Sequence, residues 1–274
     1  VERWVRDPYA IYARDILGLR QMDRPDASVE AIARGNAVHK AVERLVLLHP
    51  YDLPEDGEQV IEALILEELQ NHGFTGHIMA RETPLARNAA RWLAGFERAR
   101  RARGVEFLIE QTGAITIPAA GGDFTLSAKA DRIELAAHGA AIMDFKTGAA
   151  PTKKEMLAGW SPQLTLTGAI LADGGFEKSP AVEATELTYV RVTGRRTPGE
   201  EICRASGEEA QYLCRRALEG LSARIARFDD QATPYVSWAA PQFQGKYGGD
   251  YDHLARVWEW HVAGAESDDA GGGE

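Results

Sequence analysis

Apolar positions change their spacing part-way along the chain. Up to about residue 103 they recur every three or four residues, the period of a helix with one buried face. Tyr9, Ile11, Tyr12, Ile16 and Leu17, closed by Gly18, predict a short helix within residues 1–20. A polar loop with Pro25 follows, then Ser28 as a candidate N-cap and a stripe of Val29, Ile32, Val38, Val42, Leu45 and Val46 that predicts a helix to about Leu48. Residues 57–71 and 84–103 carry the same period. From Gly104 the spacing drops to two, and 105–117, 124–135 and 140–145, separated by polar or Gly-rich turns, predict an antiparallel meander. Residues 152–158 predict a short helix, and Ser161-Pro162 supplies a cap and first position for a helix to about Leu171. A strand over 187–192 and a long helix over 206–228 complete the order. Helices, then strands, then alternation predict an α/β fold, a mixed sheet flanked by helices with an N-terminal helical extension.

At 274 residues and 45% hydrophobic content the chain can bury a full core. We expect one elaborated domain over residues 1–264, with the Gly-, Asp- and Glu-rich stretch 265–274 as a disordered acidic tail. The chain starts at Val1, and we expect it to be part of a longer one. It has no run of eighteen apolar residues and no secretory start, which predicts a soluble, cytoplasmic protein. Cys203 and Cys214 lack metal-ligand spacing and are expected as buried, reduced thiols. The formal net charge is -10, unfavourable for coating nucleic acid. Its distribution softens that objection, because residues 250–274 hold seven acids against Arg256 alone. Arg91, Arg98, Arg100, Arg101 and Arg103 face only Glu97, with Trp92 and Phe96 among them. That cluster is either a track for a phosphate backbone or a solvated helix face whose aromatics enter the core.

The chemistry concentrates in two predicted strands, Ala128-Lys129-Ala130-Asp131-Arg132-Ile133-Glu134 and Ala141-Ile142-Met143-Asp144-Phe145-Lys146-Thr147-Gly148. Strand alternation puts Ile142, Asp144 and Lys146 on one face and Met143 and Phe145 on the other. Two ionised carboxylates about 5 Å apart would repel by roughly 3 kcal/mol at an effective dielectric of 20. A divalent cation between them removes that repulsion, and oxygen donors suit Mg²⁺ or Mn²⁺. Such a cation binds phosphate oxygens and acidifies water, the requirements for hydrolysis at phosphorus.

The order Gly35-x-x-x-His39, Glu110, Asp131, Asp144-Phe145-Lys146-Thr147-Gly148 and Gln163-Leu164 resembles the RecB-like branch of the PD-(D/E)XK nucleases. The flanks, Asp7-Pro8-Tyr9-Ala10-Ile11-Tyr12-Ala13-Arg14 with Ile16-Leu17-Gly18-Leu19, and Tyr251-Asp252-His253-Leu254-Ala255-Arg256-Val257, resemble the C-terminal nuclease domains of alphaproteobacterial AddB subunits of AddAB helicase-nucleases. The resemblance implies a restriction-endonuclease-like core and metal-dependent exonucleolytic cutting of a DNA strand unwound by an AddA-like partner, in double-strand break repair. It implies His39, Asp131, Asp144 and the Phe145 backbone carbonyl as ligands of Mg²⁺, for which Mn²⁺ would substitute. It also implies a supporting acid at Glu110, with Glu106 as the competitor, Lys146 as the group that orients or deprotonates water, and Gln163 fixing that lysine or touching phosphate. Arg98, Arg100, Arg101 and Arg103 are the candidate DNA-binding residues. Rival readings are a free-standing RecB-like exonuclease and a catalytically silent DNA-binding scaffold.

The chain departs from the family in three places. Ala128-Lys129-Ala130 replaces a frequent Gly before the first Asp, and Thr167 stands where relatives often have Tyr. Asp7 occupies the place of a Cys, so the four-Cys iron-sulfur cluster of many relatives is not expected. In its place Trp4, Tyr9, Tyr12, Trp238, Tyr247, Tyr251, Trp258 and Trp260 are expected to clasp the chain ends by packing.

Overall fold

Alternation and helical periodicity assemble around one five-stranded sheet. The computed structural model describes residues 1–20, 30–237, 249–257 and 259. Its elements are α1 (Glu2–Arg6), α2 (Pro8–Ile11), a π-helical turn (Tyr12–Ile16), α3 (Glu30–Leu48), α4 (Gly57–Asn71), α5 (Gly76–Arg101), β1 (Glu106–Ile117), β2 (Phe124–Ala136), β3 (Gly139–Lys146), α6 (Lys153–Leu157), α7 (Gln163–Ala172), β4 (Ala184–Val192), β5 (Gly199–Ser206) and α8 (Glu208–Asp229). Strand order is β1-β2-β3-β4-β5. β1, β2 and β3 form the expected meander, β4 lies parallel to β3, and β5 returns antiparallel to β4.

The sheet separates two cores. α7 and α8 pack on one face with Ile142, Leu187 and Tyr189 of the sheet. On the other, α3, α4 and α5 cover Met143, Phe145 and Val190. β3 thus contributes Ile142 to one core and Met143 and Phe145 to the other, as strand alternation requires.

Several boundaries differ from expectation. α5 starts at Gly76, eight residues before Pro84, which lies inside it. Proline interrupts a helix by withholding its N–H, but Ile78 and Met79 ahead of it pack on the core and hold the first turns in place. The first helical segment is broken into α1, α2 and the π turn, ending at Gly18 with φ +69°. Gln163, rather than Pro162, is the first residue of α7. Ser28 and the acidic tail lie outside the described residues. Cys214 is buried, but Cys203 is exposed on β5, and both are free thiols.

The β1–β2 hairpin keeps one register yet exchanges its faces. Leu108 opposite Ile133, and Ile115 opposite Leu126, are all buried in the same core. Strict alternation would put Leu108 and Ile115 on opposite faces. The exchange falls at Glu110 and Asp131, the one interior rung missing from the ladder, and Glu110 has φ +52°. Each strand spends one residue on the turn-over, so no register is lost.

The N-terminal segment packs against aromatic side chains from further along the chain. Trp4 stacks on Phe124 at 6.2 Å and meets Phe228 edge-on at 5.0 Å, while Tyr12 approaches Tyr235 at 5.8 Å. The Tyr251 hydroxyl donates to the Leu19 carbonyl at 3.0 Å. Trp238, Tyr247, Trp258 and Trp260 lie outside the described residues.

Candidate active site

The site forms at the middle of β2 and the C-terminal end of β3, beside α3. Asp131 Oδ2 accepts from the Phe145 N–H at 2.8 Å, and the carbonyl of the same residue meets His39 Nε2 at 2.8 Å. His39 Nδ1 faces Asp131 Oδ2 at 3.4 Å. The imidazole therefore lies between two acceptors, an arrangement that favours its protonated form. Burial pulls its pKa down, but the Asp131 and Asp144 carboxylates and the Phe145 carbonyl outweigh burial and raise it. His39 reaches this point because α3 approaches the end of β3 closely: a methyl on Gly35 would lie 3.5 Å from Thr147 Oγ1.

Glu110 joins the group through its left-handed backbone, a conformation that costs a non-glycine residue of order 1–3 kcal/mol. Ligand atoms of His39, Glu110 and Asp131 all lie within 4.8 Å of one another. Lys129 pairs with Glu110. Glu110 sits in the middle of β1, whereas the competing Glu106 is exposed at its start.

Asp144 is 2% exposed. Its Oδ2 lies 2.5 Å from Lys146 Nζ and its Oδ1 has no hydrogen-bond partner. Burial and the nearby Asp131 carboxylate push its pKa up to about 6, against the pull of Lys146. Lys146 Nζ also donates to Gln163 Oε1 at 3.3 Å and lies 5.8 Å from the centre of the Tyr189 ring. Thr167 is buried within α7.

The basic cluster is largely a structural network. Arg100 is 1% exposed and pairs with Glu134 at 2.7 Å, Glu186 at 2.9 Å and Glu201 at 2.8 Å. Arg132 joins Glu97 to Glu134, and Arg101 binds Glu97 at 3.1 Å and donates to the His49 carbonyl. Neither Arg100 nor Arg101 can reach a phosphate backbone without breaking these pairs. Arg103, half-exposed, pairs with Glu186 at 3.3 Å, and Arg98 remains exposed, donating to the Glu55 carbonyl. The network clamps α5 to β2, β4 and β5 beneath the site. The sequence showed five arginines and one nearby acid; the missing partners come from strands 34 to 101 positions away.

Residues 2–238 match the PD-(D/E)XK nuclease superfamily. The chain belongs to that superfamily. Nucleases of this superfamily hydrolyse phosphodiester bonds and use divalent metals. An uncharacterized protein of Rickettsia felis is 32% identical over 190 residues, which is 64% of this chain and 21% of that protein. One of Rickettsia typhi is 29% identical over 210 residues, 72% of this chain and 24% of its own length. The chain thus spans a fifth to a quarter of the length of these curated relatives. A solved structure titled "Crystal structure of SSO0001" is 12% identical, covers 67% of this chain and 84% of its own, and has a TM-score of 0.29. No helix among the described residues is long and apolar enough to cross a membrane.

The donor set fits a divalent cation. In the group formed by His39, Glu110 and Asp131, the carboxylates are hard oxygen donors and the imidazole is compatible with them, while Asp144, expected as a ligand, lies outside that group.

Proposed function

We propose that this PD-(D/E)XK chain is the RecB-like nuclease domain of a longer, AddB-type subunit, cutting an unwound DNA strand beside a helicase partner. The observation that carries the reading is the Phe145 peptide unit, whose N–H and C=O tie Asp131 and His39 together while its strand neighbours Asp144 and Lys146 face the cleft. The AddB-type assignment rests on the two flanking motifs, whose Tyr251 and Leu19 meet in the fold. Mg²⁺ is the proposed cofactor, with Mn²⁺ as its substitute.

In this reading Asp131, Asp144, His39 and the Phe145 carbonyl hold the cation, and Glu110 supports them. When bound, the ion supplies a Lewis acid for a phosphate oxygen and lowers the pKa of water. His39 gives up its proton for this task, so acid opposes loading. Lys146, fixed between Asp144 and Gln163, orients the attacking water and stabilises charge that develops on the phosphate oxygens. Gln163 keeps the ammonium from collapsing wholly onto Asp144.

The test uses end-labelled single-stranded DNA in Mg²⁺, Mn²⁺ or EDTA, with Lys146→Ala alongside. Cutting that requires metal and falls by about 10²–10⁴-fold in the variant, at unchanged DNA affinity, supports the reading. Cutting that survives in Lys146→Ala sinks it. If the isolated chain is inert, the same comparison in the assembled helicase-nuclease decides, and inactivity there would identify a silent scaffold.

A further inference from the structure

A cavity opens directly off Lys146. It has a volume of about 440 Å³ and is bounded by α1, the loop 149–152, the starts of α6 and α7, and β4. That is room for one nucleotide, within the range of about 300–1,000 Å³ typical of small-molecule sites. Two hydrogen-bond donors on its wall are unused. Tyr189, fully buried and opposite Asp144 in the β3–β4 ladder, has a hydroxyl with no partner. Arg6 has a buried Nε with no partner. Buried donors are nearly always satisfied, by protein, water or ligand.

The acids on the wall are already engaged. The Glu155 carboxylate accepts from both the Thr152 N–H and its hydroxyl, closing the cap of α6. Glu2 pairs with Arg6 Nη2 at 2.9 Å across a half-exposed contact, an ion pair weak enough to exchange for another anion. Arg6 is otherwise held in place, donating to the Trp160 carbonyl at 3.1 Å with its guanidinium 5.1 Å from the Trp160 ring centre. An oriented guanidinium and a buried phenol donor share one concavity beside Lys146, a combination that recognises a phosphate.

We propose that this cavity holds the nucleotide next to the scissile bond, its phosphate bound by Arg6 and the Tyr189 hydroxyl. The proposal rests on the nuclease reading and adds a subsite to it. Arg6 belongs to the N-terminal extension and Tyr189 to the parallel strand, so the subsite joins two parts of the chain that the metal-binding group does not use. It favours one flexible strand over a duplex, since a single nucleotide must leave the stack to enter.

The experiment titrates thymidine 5′-monophosphate, thymidine and inorganic phosphate into the full chain in EDTA, following binding by calorimetry. Tyr189→Phe keeps the ring and removes only the hydroxyl, and Arg6→Gln keeps a polar side chain at the surface. Nucleotide binding that weakens about 5- to 10-fold in each variant, with thymidine weaker than the nucleotide in wild type, is expected. Phosphate as tight as the nucleotide still supports the phosphate contact. No nucleotide binding by wild type, equal affinity in Tyr189→Phe, or thymidine as tight as the nucleotide overturns the proposal. The two readings fail separately. Cutting with wild-type nucleotide affinity in Tyr189→Phe removes the subsite alone, and Tyr189-dependent nucleotide binding without any cutting removes the nuclease alone.

Discussion

Asp144 combines near-complete burial with a carboxylate oxygen that no donor reaches. Its pKa is pushed from 3.8 to about 6 by burial and by Asp131. A carboxyl whose folded pKa is raised loses stability as pH climbs from the unfolded value through the folded one, so at pH 7 without metal this group works against folding. Asp144→Asn is therefore expected to stabilise the metal-free protein by about 1–3 kcal/mol at pH 7, with no gain at pH 4. The same substitution should abolish the stabilisation that Mg²⁺ gives the wild type; thermal melts with EDTA or Mg²⁺ at the two pH values read both effects. Alternation and the Asp-x-Lys spacing made Asp144 and Lys146 legible in the sequence. Glu110's positive φ and Tyr189's place opposite Asp144 were not, because neither leaves a mark in residue type: an acid at φ +52° and a tyrosine in an apolar strand look ordinary.

Helices α7 and α8 meet through a glycine. A methyl added at Gly168 would lie 2.5 Å from Cys214 Sγ, too close for that buried neighbour, and a tight 3.1 Å from Ala184 Cβ. Gly168→Ala should destabilise by about 1–3 kcal/mol through overpacking. Gly220, exposed within α8 with nothing within 4 Å of its added methyl, should respond in the opposite sense, gaining up to about 1 kcal/mol on conversion to Ala. Urea denaturation of both variants tests the pair, and a matching sign would contradict the packing described. At this scale the sequence was clearest where burial is one-sided: α4 and the long strands of the meander fall within a residue or two of their expected ends. It was weakest where another rule competed. Pro84 masked the first turns of α5, and β5, an edge strand carrying Glu200, Glu201 and Arg204, lacks the apolar run that marks the inner strands.

Across the whole molecule, two sets of carboxylates pull in opposite directions with pH. Burial opposes ionisation of Glu82 and Glu186, but Arg34 and Arg81 around the first, and Arg100 and Arg103 around the second, outweigh it and lower both pKa values. A carboxyl with a depressed folded pKa stabilises above its unfolded value and loses that stabilisation as pH falls through the folded one. Asp144 runs the other way. Stability of the metal-free protein should therefore be greatest near pH 4.5, falling on the acid side as the arginine-bound carboxylates protonate and on the neutral side, up to about pH 6, as Asp144 ionises. Saturating Mg²⁺ should flatten the neutral side only. A urea midpoint series from pH 3.5 to 8 measures this, and a metal-free maximum above pH 7 would count against the assignment. The basic cluster belongs to the same balance: Arg100, buried against Glu134, serves the fold from inside.

The turn-over at Glu110 and Asp131 also bears on how relatives are compared. Both strands change phase at one rung without gaining or losing a residue relative to each other. An alignment scored on inside–outside alternation would open a gap on each strand there, and would record an insertion in a hairpin whose length had never changed.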